Sequence, residues 1–460
     1  MPSIRLFGTS GVRGEIHNTL TPELAIKLSL AFAKFLGGSG FIAIGRDVRF
    51  QSSILAKACV AGATSGGLNV VDCGVLPTPA LLHVVKELKL NGAIMVTASH
   101  TPPHFAGLLF FNGDTAELSP KEHEKIEKLV FSGSLSGVSW NEVGRVENFT
   151  GCLDIYLKSI LRQVNVKAAR SLGAKIVVDP SNSAQCMFLP LIARELGCEV
   201  FLINDFPDGA FPGRGPDLHP RFLTVTANYT KQLSADFAIA TDGDGDRCLF
   251  VNEHGEVLWG DVVGCLFARE ELMLKGGGVI VCPINTSNLI EYVCEIAGGE
   301  VRYSKVGPPA IIDVMKRFSN VIFAFEESGK YIWPKNVYYG DPGLALGKIL
   351  EILCKYGGLS SATSNFPRFH RVKIAVPCPE ELKVKVLNWL KNKVSELNPS
   401  CIVDLDGLKV IFDDGSWLLL RPSGTEPVFR VFSESLDSCR ADELAELGSS
   451  LVREALSEFT

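Results

Sequence analysis

The 460-residue sequence lacks a Cys-x-x-C pair, a long basic run and an apolar segment of membrane-spanning length. Its thirteen cysteines are irregularly spaced, which argues against a disulfide framework and a zinc ribbon. The formal net charge is −6, so non-specific nucleic-acid binding is not expected. A negative net charge still allows local basic pockets that bind phosphate. Lysine or arginine interrupts each apolar stretch before about 18 residues, and the first residues lack the apolar core of a signal peptide. These absences favour a cytoplasmic protein that binds neither nucleic acid nor membranes.

Common nucleotide-binding and hydrolase motifs are also missing. The glycine-rich segment 7–14 carries Arg13 but fits neither G-x-G-x-x-G nor a P-loop. The G-x-S-x-G turn of serine hydrolases is absent. The composition, with 46% hydrophobic and 21% charged residues, is typical of a globular protein. At about 100–200 residues per domain, the length predicts two to four domains.

Short β-branched runs alternate with amphipathic stretches along most of the chain, which predicts α/β layers. A helix is predicted to begin at Pro22, after the N-cap Thr21, and to end at the glycine pair 37–38. The rhythm restarts near residues 175 and 260, and strand signals dominate from about residue 369, so three α/β units and a smaller C-terminal α+β domain are predicted. Strands are predicted at 41–44, 69–72, 93–97, 175–179, 199–203, 279–282, 321–325, 371–376, 407–412, 417–421 and 428–433, and helices at 52–63, 80–89, 288–296 and 441–456.

Ser99 stands in the segment 96–103, directly after an apolar strand. Pro102 and Pro103 deny the following loop regular hydrogen bonding, so Ser99 is predicted to lie on a stiff, exposed turn. A nucleophilic serine needs such a position and a neighbour, here His100, to orient it or take its proton. The alternative is a turn in which both side chains only bind the backbone.

Asp242, Asp244 and Asp246 occupy alternate positions after the apolar strand 237–240, with glycines between them. Three such carboxylates can converge on one hard divalent cation and leave positions open for water or phosphate, as Mg²⁺ prefers. An EF-hand loop is the competitor, since Glu253 stands at its twelfth position. It is disfavoured because Arg247 replaces the required glycine and the flanking sequence is rich in β signals.

Two further loops have the residues to bind a sugar phosphate. Segment 421–427, with Arg430 beyond it, offers hydroxyls, backbone N–H groups and arginine for a phosphate dianion, although a polar hairpin turn explains it equally well. Segment 325–330 ends a buried strand with carboxylates and a hydroxyl that suit vicinal sugar hydroxyls. Its alternative is a helix N-terminus with stabilising acids.

Together these segments closely resemble the α-D-phosphohexomutase family, which includes phosphomannomutase/phosphoglucomutases and phosphoglucosamine mutases. The signatures FGTSGVRG, TASHTPP, DGDGDR, EESGK and RPSGTEP occur in the family's order, and shorter segments at 45–47, 211–214 and 305–307 support the resemblance. It implies four domains around a central cleft, three of related mixed-sheet α/β fold and a fourth of α+β fold. We assign these to a phosphoserine domain at 1–150, a metal-binding domain at 151–256, a sugar-recognition domain at 257–367 and a C-terminal phosphate-binding domain at 368–460.

The resemblance also implies roles for individual residues. Ser99 would be phosphorylated, and its phosphate would hold Mg²⁺ together with Asp242, Asp244 and Asp246. Glu326 is favoured over Glu327 for the sugar because it stands where the family's Glu-x-Ser falls. The candidate catalytic residues are Ser99, His100, Arg13, Arg247 and Lys330, and the candidate substrate-binding residues are Lys305, Gly307, Glu326, Ser328, Arg421, Ser423, Gly424, Thr425 and Arg430.

The chain departs from the family pattern near the catalytic serine. Thr101 replaces an asparagine, Leu109 replaces a lysine, and Lys330 stands where the family has histidine or asparagine; Phe325 also replaces a glycine. Either Lys330 or His104 then supplies the missing proton transfer, or the chain is a slow or inactive paralog that binds sugar phosphate and metal.

The predicted activity is interconversion of hexose 1-phosphates and 6-phosphates of mannose or glucose. It would proceed through phosphoserine and a hexose 1,6-bisphosphate, which serves as intermediate or activator. Phosphoglucosamine mutase is the alternative within the family, and a non-catalytic sugar-phosphate sensor is the alternative outside it. The predicted assembly is a monomer or a homodimer.

Overall fold

The computed structural model describes residues 6–424 and 426–459, so Thr425 of the predicted phosphate site lies outside the described residues. The described chain forms four sheets, each built from one consecutive part of the sequence. We call these parts the first to fourth units. None of the described helices is long and apolar enough to span a membrane.

The first unit has a six-stranded mixed sheet. Its elements are β1 (Val12–Glu15), α1 (Pro22–Phe35), β2 (Phe41–Arg46), α2 (Ser52–Ser65), β3 (Asn69–Val75), α3 (Thr78–Leu88), β4 (Gly92–Val96), β5 (Phe105–Asn112), α4 (Pro120–Phe131) and β6 (Val146–Asn148). The strand order is β1-β5-β4-β2-β3-β6, with β2, β3, β4 and β6 parallel and β5 antiparallel to both neighbours. Helix α1 begins as predicted, because the Thr21 hydroxyl accepts a hydrogen bond from the Leu24 N–H at 3.2 Å.

The second and third units repeat the central part of this topology. The second unit contains α5 (Cys152–Leu161), α6 (Val166–Leu172), β7 (Lys175–Asp179), α7 (Leu189–Glu195), β8 (Glu199–Leu202), α8 (Thr224–Gln232), β9 (Phe237–Thr241), β10 (Cys248–Asn252) and β11 (Val257–Leu258). The third contains α9 (Gly260–Lys275), β12 (Gly278–Pro283), α10 (Leu289–Ala297), β13 (Gly299–Ser304), α11 (Pro308–Arg317), β14 (Val321–Glu326), β15 (Lys330–Ile332), α12 (Pro342–Tyr356) and α13 (Leu359–Thr363). The orders are β11-β10-β9-β7-β8 and β13-β12-β14-β15.

The repeat is visible in the strand order. The runs β3-β2-β4-β5, β8-β7-β9-β10 and β13-β12-β14-β15 share one pattern, in which three parallel strands are followed by one antiparallel strand. The Ser99 turn, the aspartate loop and the 326–330 loop each join the last parallel strand to the antiparallel one. Equivalent topology therefore places the three loops at equivalent edges of three sheets, and the related fold of the three α/β units that the resemblance implied is confirmed.

The fourth unit is an antiparallel sheet with two helices. It contains β16 (His370–Pro377), α14 (Lys383–Lys393), β17 (Cys401–Asp404), β18 (Leu408–Ile411), β19 (Trp417–Pro422), β20 (Val428–Ser435) and α15 (Ser438–Ser457), and its strand order is β16-β20-β19-β18-β17. Single 3₁₀ turns occur at Ala184–Met187, Pro220–Phe222, Glu380–Leu382 and Val394–Leu397. The α+β character predicted for this part of the chain is confirmed.

The predicted helices and strands lie within one to three residues of the observed ones. Helix α15 starts at Ser438 instead of 441 because the Asp437 carboxylate accepts the N–H of Cys439, which caps the helix earlier. The metal-binding domain was predicted to end at residue 256. Strand β11 begins at Val257 and pairs with β10, so the second sheet extends two residues beyond that boundary. The domain boundaries themselves stay predictions.

The first three units share one hydrophobic core, which includes Phe111, Phe250 and Phe267 from the three units in turn. A buried carboxylate also joins these units: Asp341 accepts hydrogen bonds from His83 at 2.8 Å, Tyr156 at 2.6 Å and Asn336 at 2.6 Å. Burial disfavours the ionised form of Asp341, but these donors hold its pKa below the usual range. The three functional loops are thus fixed relative to one another.

Candidate active site

Ser99 lies in the turn between β4 and β5 with a backbone φ of +53°, a left-handed conformation that is uncommon for serine. Its N–H donates to the Thr97 hydroxyl at 2.9 Å, which stabilises the turn. Its own hydroxyl lies 3.4 Å from Oδ2 of Asp242 and 3.4 Å from Nδ1 of His100. The serine oxygen therefore sits between the aspartate loop and an imidazole.

Arg49 organises this turn from beneath and was not identified from the sequence. Its guanidinium donates to the carbonyl oxygens of Ser99 at 2.6 Å, Thr101 at 2.7 Å and Pro102 at 2.6 Å. Asp47 holds Arg49 in place through an ion pair of 3.1 Å. The Arg49 side chain is fully buried. It donates to carbonyl oxygens of the proline-rich loop that would otherwise be buried without a hydrogen bond.

The prediction that Ser99 is exposed is wrong: only 2% of its surface is accessible. The aspartate loop covers the turn at Gly243, where an added Cβ would lie 2.6 Å from the Ser99 carbonyl oxygen. Glycine is required at this point for the close approach. Ser99 is therefore almost completely enclosed by the described residues.

The three aspartates of the loop between β9 and β10 form a compact cluster. Asp242, Asp244 and Asp246 each place a carboxylate oxygen within 4.8 Å of the others, and all three are buried. Oδ1 of Asp242 accepts the N–H groups of Gly245 at 3.1 Å, Asp246 at 3.2 Å and Arg247 at 3.3 Å, which folds the loop inward. Strands flank the loop, so the EF-hand alternative is excluded.

The cluster fits a divalent cation. Oδ1 of Asp244 and Oδ1 of Asp246 are buried without a hydrogen-bond partner among the described residues. Burial, and then the neighbouring carboxylates, raise the pKa of Asp242 and of Asp244 above the usual range. A bound cation would relieve this repulsion and satisfy the free oxygens, and carboxylate oxygens are the ligands that Mg²⁺ and Ca²⁺ prefer.

Positive side chains from two units surround the cluster. Lys330, at the start of β15, places its ammonium 2.8 Å from Oδ2 of Asp246 and 3.9 Å above the ring of Tyr339. Nε of Arg247 lies 3.8 Å from both Asp242 and Asp246. The structure therefore brings two of the predicted catalytic cations to the aspartates.

The remaining candidates for proton transfer differ in position. His104 is mostly exposed and lies 3.7 Å from Glu15, so it faces outward from the first unit. His100 is enclosed, and the charge of Arg247, followed by burial, lowers its pKa well below the usual range, which keeps its imidazole neutral. Leu109 is buried and packs against Gly11. An apolar side chain therefore occupies the position where the family has lysine.

The two neighbouring glutamates of the 326–330 loop have different surroundings. Glu327 is occupied: its carboxylate accepts from Arg371 at 2.7 Å, Lys373 at 2.7 Å and Asn285 at 2.9 Å. Glu326 is buried, adds to the negative potential at Arg247, and has no ion pair among the described residues. The Ser328 hydroxyl is buried and has no hydrogen-bond partner in the described chain. The geometry therefore favours Glu326 and Ser328 as groups available to a sugar.

The predicted phosphate site forms where the fourth unit meets the first and third. Thr9 contacts two loops: a Cβ added to Gly307 or to Gly424 would lie 3.8 Å from its methyl carbon. Arg421 donates through Nε to Asp406 at 2.7 Å. Lys305 is exposed at the edge of this site.

Lys383 shapes the loop of the predicted phosphate site and was not identified from the sequence. Its buried ammonium donates to the carbonyl oxygens of Ser423 at 2.5 Å and Glu426 at 2.7 Å. The two carbonyls are thus turned toward the Lys383 ammonium at the start of α14, which fixes the conformation of the loop. Arg430 pairs with Glu426 at 2.5 Å beside this loop.

Glu117 is a further buried acid that no motif indicated. Its backbone forms a β-bridge with Phe111 of β5, and its carboxylate lies near the Ser10 hydroxyl but makes no hydrogen bond of normal geometry with any described residue. Burial raises its pKa to about 7, although the Ser10 hydroxyl and the charges of Lys330 and Arg13 favour the ionised form. Glu117 lies beside the segment that carries Arg13 because β5 pairs with β1 and also forms the bridge to Glu117. The sequence alone does not reveal this pairing.

Comparison with known proteins identifies all four units. Four domain families described as phosphoglucomutase/phosphomannomutase α/β/α domains I, II and III and C-terminal domain match residues 4–136, 154–255, 259–369 and 374–447. A crystal structure of a phosphoglucomutase/phosphomannomutase family protein from Burkholderia thailandensis superposes with a TM-score of 0.88 at 25% identity, covering 99% of this chain and 98% of that chain.

Three curated relatives match over nearly their whole length. A phosphoglucomutase/phosphomannomutase from Thermococcus kodakarensis is 36% identical and covers 98% of this chain and 99% of its own. A protein described as a probable phosphoglucosamine mutase from Methanopyrus kandleri is also 36% identical, and a phosphopentomutase from T. kodakarensis is 34% identical; each alignment covers 99% of both chains. The relatives thus agree on the kind of reaction and differ in the sugar.

Replacing one aspartate should have opposite effects on metal binding and on stability. In Asp244→Asn we expect Mg²⁺ affinity to fall at least about tenfold, because a carboxylate ligand is lost. The metal-free protein should gain about 2 °C or more in thermal midpoint, because the repulsion within the cluster decreases. Calorimetric titration and thermal unfolding measure the two effects, with exposed Asp114→Asn as the control. Unchanged affinity would place the metal elsewhere.

Glu117 should make stability depend on pH. The unfolded carboxyl ionises near pH 4.5 while the folded one keeps its proton until about pH 7, so stability falls as pH rises through this window. The stability of Glu117→Gln relative to wild type should therefore increase by about 3 kcal/mol between pH 4.5 and pH 8. Urea unfolding at a series of pH values tests this, with exposed Glu124→Gln as the control. A constant difference would contradict the raised pKa.

Proposed function

The chain belongs to the phosphoglucomutase/phosphomannomutase family, and from this premise we propose that it interconverts hexose 1-phosphates and 6-phosphates through a phosphorylated Ser99. Mannose and glucose phosphates are the leading substrates. The observation that carries the proposal is the meeting of the Ser99 hydroxyl, the aspartate cluster and the cations Arg247 and Lys330 in one buried site. Phosphoryl transfer depends mainly on such positioning and charge neutralisation.

Mg²⁺ is the proposed cofactor, held by Asp242, Asp244 and Asp246 with an oxygen of phosphorylated Ser99. When bound, it would neutralise charge on the transferring phosphoryl group. Arg247 would orient that group from the cluster, and Arg13 would support it from the first unit. The cations also lower the electrostatic cost of bringing a dianionic phosphate to a site lined by carboxylates.

In the proposed reaction, a sugar hydroxyl attacks the phosphoserine phosphorus and gives its proton to a base, while the bond to the serine oxygen breaks and that oxygen takes up a proton. The product is a hexose 1,6-bisphosphate. It turns around in the cleft, and the Ser99 hydroxyl attacks its other phosphate, giving its proton to a base while the phosphorus–oxygen bond to the sugar breaks and the departing sugar oxygen takes up a proton. Lys330 and His100 are the proposed charge-stabilising and proton-handling groups. Lys330 would supply the positive charge that Leu109 does not.

Glu326 and Ser328 are proposed to bind the sugar hydroxyls, because both have groups free to pair with them. The distal phosphate would be held by the loops of the third and fourth units, with the fourth unit closing over the cleft to exclude water. Residues proposed for this phosphate are Lys305, Gly307, Arg421, Ser423, Gly424, Thr425 and Arg430.

Phosphoglucosamine mutase is the second candidate, favoured by the relative of that description, which is as similar as the first. The phosphopentomutase relative makes pentose phosphates a necessary part of any substrate panel. The loss of the lysine at position 109 keeps a slow or non-catalytic sugar-phosphate binder as the alternative from another class. A cytoplasmic location and a monomeric or homodimeric state stay predictions.

Phosphorylation of Ser99 tests the proposed mechanism directly. Incubation with glucose 1,6-bisphosphate and Mg²⁺ should add the mass of one phosphoryl group, measured on the intact protein. Ser99→Ala should show no such gain and should lose turnover by at least about a thousandfold, because the group-transfer residue is missing. Exposed Ser132→Ala is the matched control. Turnover is assayed with mannose, glucose, glucosamine and ribose 1-phosphates. A phosphoenzyme without turnover would support the inactive paralog, and absence of both would reject the mutase.

Substitutions of Glu326 and Glu327 should have different effects on catalysis and stability. Glu326→Gln should lower kcat/KM by about a hundredfold, because a charged hydrogen bond to the sugar is lost. Glu327→Gln should act mainly on thermal stability, because its carboxylate pairs with the fourth unit. Steady-state kinetics and thermal unfolding of both variants decide the assignment, and the reverse pattern would transfer the sugar-binding role to Glu327.

A further inference from the structure

Asp406 lies in the turn between β17 and β18 and contacts both sides of the proposed distal phosphate site. One of its oxygens, Oδ2, accepts the Nε–H of Arg421 at 2.7 Å and the backbone N–H of Val306 at 3.0 Å. Arg421 belongs to the fourth unit and Val306 to the third. A single carboxylate oxygen thus joins the two units that the proposed function assigns to one phosphate.

The contact uses only one part of the Arg421 guanidinium. Asp406 takes the Nε–H, while the two terminal nitrogens have no hydrogen bond to any described residue. A guanidinium fork can hold a carboxylate on one edge and present its remaining N–H groups to a phosphate. Arg421 is 9% exposed, so its orientation is set by these few contacts.

The backbone keeps the Asp406 turn against Arg421. Gly407 has a φ of +92°, and an added Cβ would lie 2.3 Å from the Leu420 carbonyl oxygen and 2.9 Å from the Arg421 Cα. Only glycine allows this approach in this conformation. The carboxylate is therefore held beside the arginine by the turn itself.

A carboxylate beside a phosphate site can act in two opposite ways. It can occupy the site as a competing anion, or it can orient the arginine that binds the phosphate. The competing role requires contact with the phosphate-binding nitrogens. Asp406 instead contacts Nε and the Val306 N–H, next to Gly307. The observed pairing therefore favours orientation.

We propose that Asp406 is a positioning residue for the substrate's non-reacting phosphate. It aims the terminal nitrogens of Arg421 and fixes Val306, so that loops of the third and fourth units form one binding site. The inference rests on the proposed function in so far as that function assigns Arg421 to the phosphate. It adds a residue that lies outside the motif 421–427.

Binding measurements test Asp406 without requiring turnover. In the Ser99→Ala background, Asp406→Ala should weaken glucose 6-phosphate binding about tenfold by calorimetry, and Asp406→Asn, which keeps an acceptor oxygen, should weaken it less. In the active protein the same variants should raise KM by similar factors and change kcat by less than about threefold. Asp404→Asn is the matched control, since Asp404 lies two residues away and pairs with Lys391 at the surface.

A double variant makes the test specific to Arg421. Arg421→Lys removes the Nε–H that Asp406 holds, so adding Asp406→Ala to it should weaken binding by a smaller factor than in the wild type, because only the contact to Val306 is then lost. If Asp406→Ala is too unstable to study, the same comparison is made with Asp406→Asn in place of Asp406→Ala. Full additivity of the two changes would overturn the proposal.

The remaining outcomes are equally distinct. Tighter binding in Asp406→Ala would show a competing anion, and unchanged binding would show a residue without influence on the site; either overturns the proposal. If the wild type turns over no sugar phosphate but Asp406→Ala still weakens glucose 6-phosphate binding, the mutase proposal fails and the role of Asp406 stands. If the wild type binds neither glucose 6-phosphate nor inorganic phosphate, the role of Asp406 is rejected.

Discussion

The repulsion among three buried aspartates is the constraint on which the active site depends. Asp242, Asp244 and Asp246 are clustered and buried, so water screens their charges poorly. Their compensation comes from several units: Lys330 from the third, Arg247 and loop N–H groups from the second, and the Thr78 hydroxyl from the first, which donates to Asp244 at 3.0 Å. The charge of the aspartate cluster is therefore compensated by contacts from three units.

The repeated strand order explains how three distant loops reach this assembly. In each of the first three units, the functional loop follows the last parallel strand and precedes the antiparallel one. The loops carry different groups on equivalent scaffolds: a serine turn, an aspartate cluster and a buried glutamate. Because the three units share a hydrophobic core, the loops are held at fixed separations. The fourth unit has a different fold and adds the phosphate loop from outside.

Buried cations impose the shapes of two of these loops. Arg49 collects the carbonyl oxygens of the Ser99 turn, and Lys383 collects those of the phosphate loop. In both places the loop cannot satisfy its own carbonyl groups, and a buried side chain from a neighbouring segment satisfies them. Neither residue is among the proposed substrate-binding groups, yet the conformation of the two loops depends on both.

The sequence by itself predicted most of the strands and helices such as α1, α2 and α15, because capping, periodicity and glycine act over a few residues, but it did not predict β1, β13, α4 or α11. It also determined the aspartate cluster, since alternate carboxylates after a strand converge locally. Tertiary structure decided the burial of Ser99, the availability of Glu326 rather than Glu327, and the presence of Glu117 beside the Arg13 segment. It also decided which cation meets the aspartates, since Lys330 and Asp246 are 84 residues apart. Such pairings follow from strand order and packing between units, which no local pattern encodes.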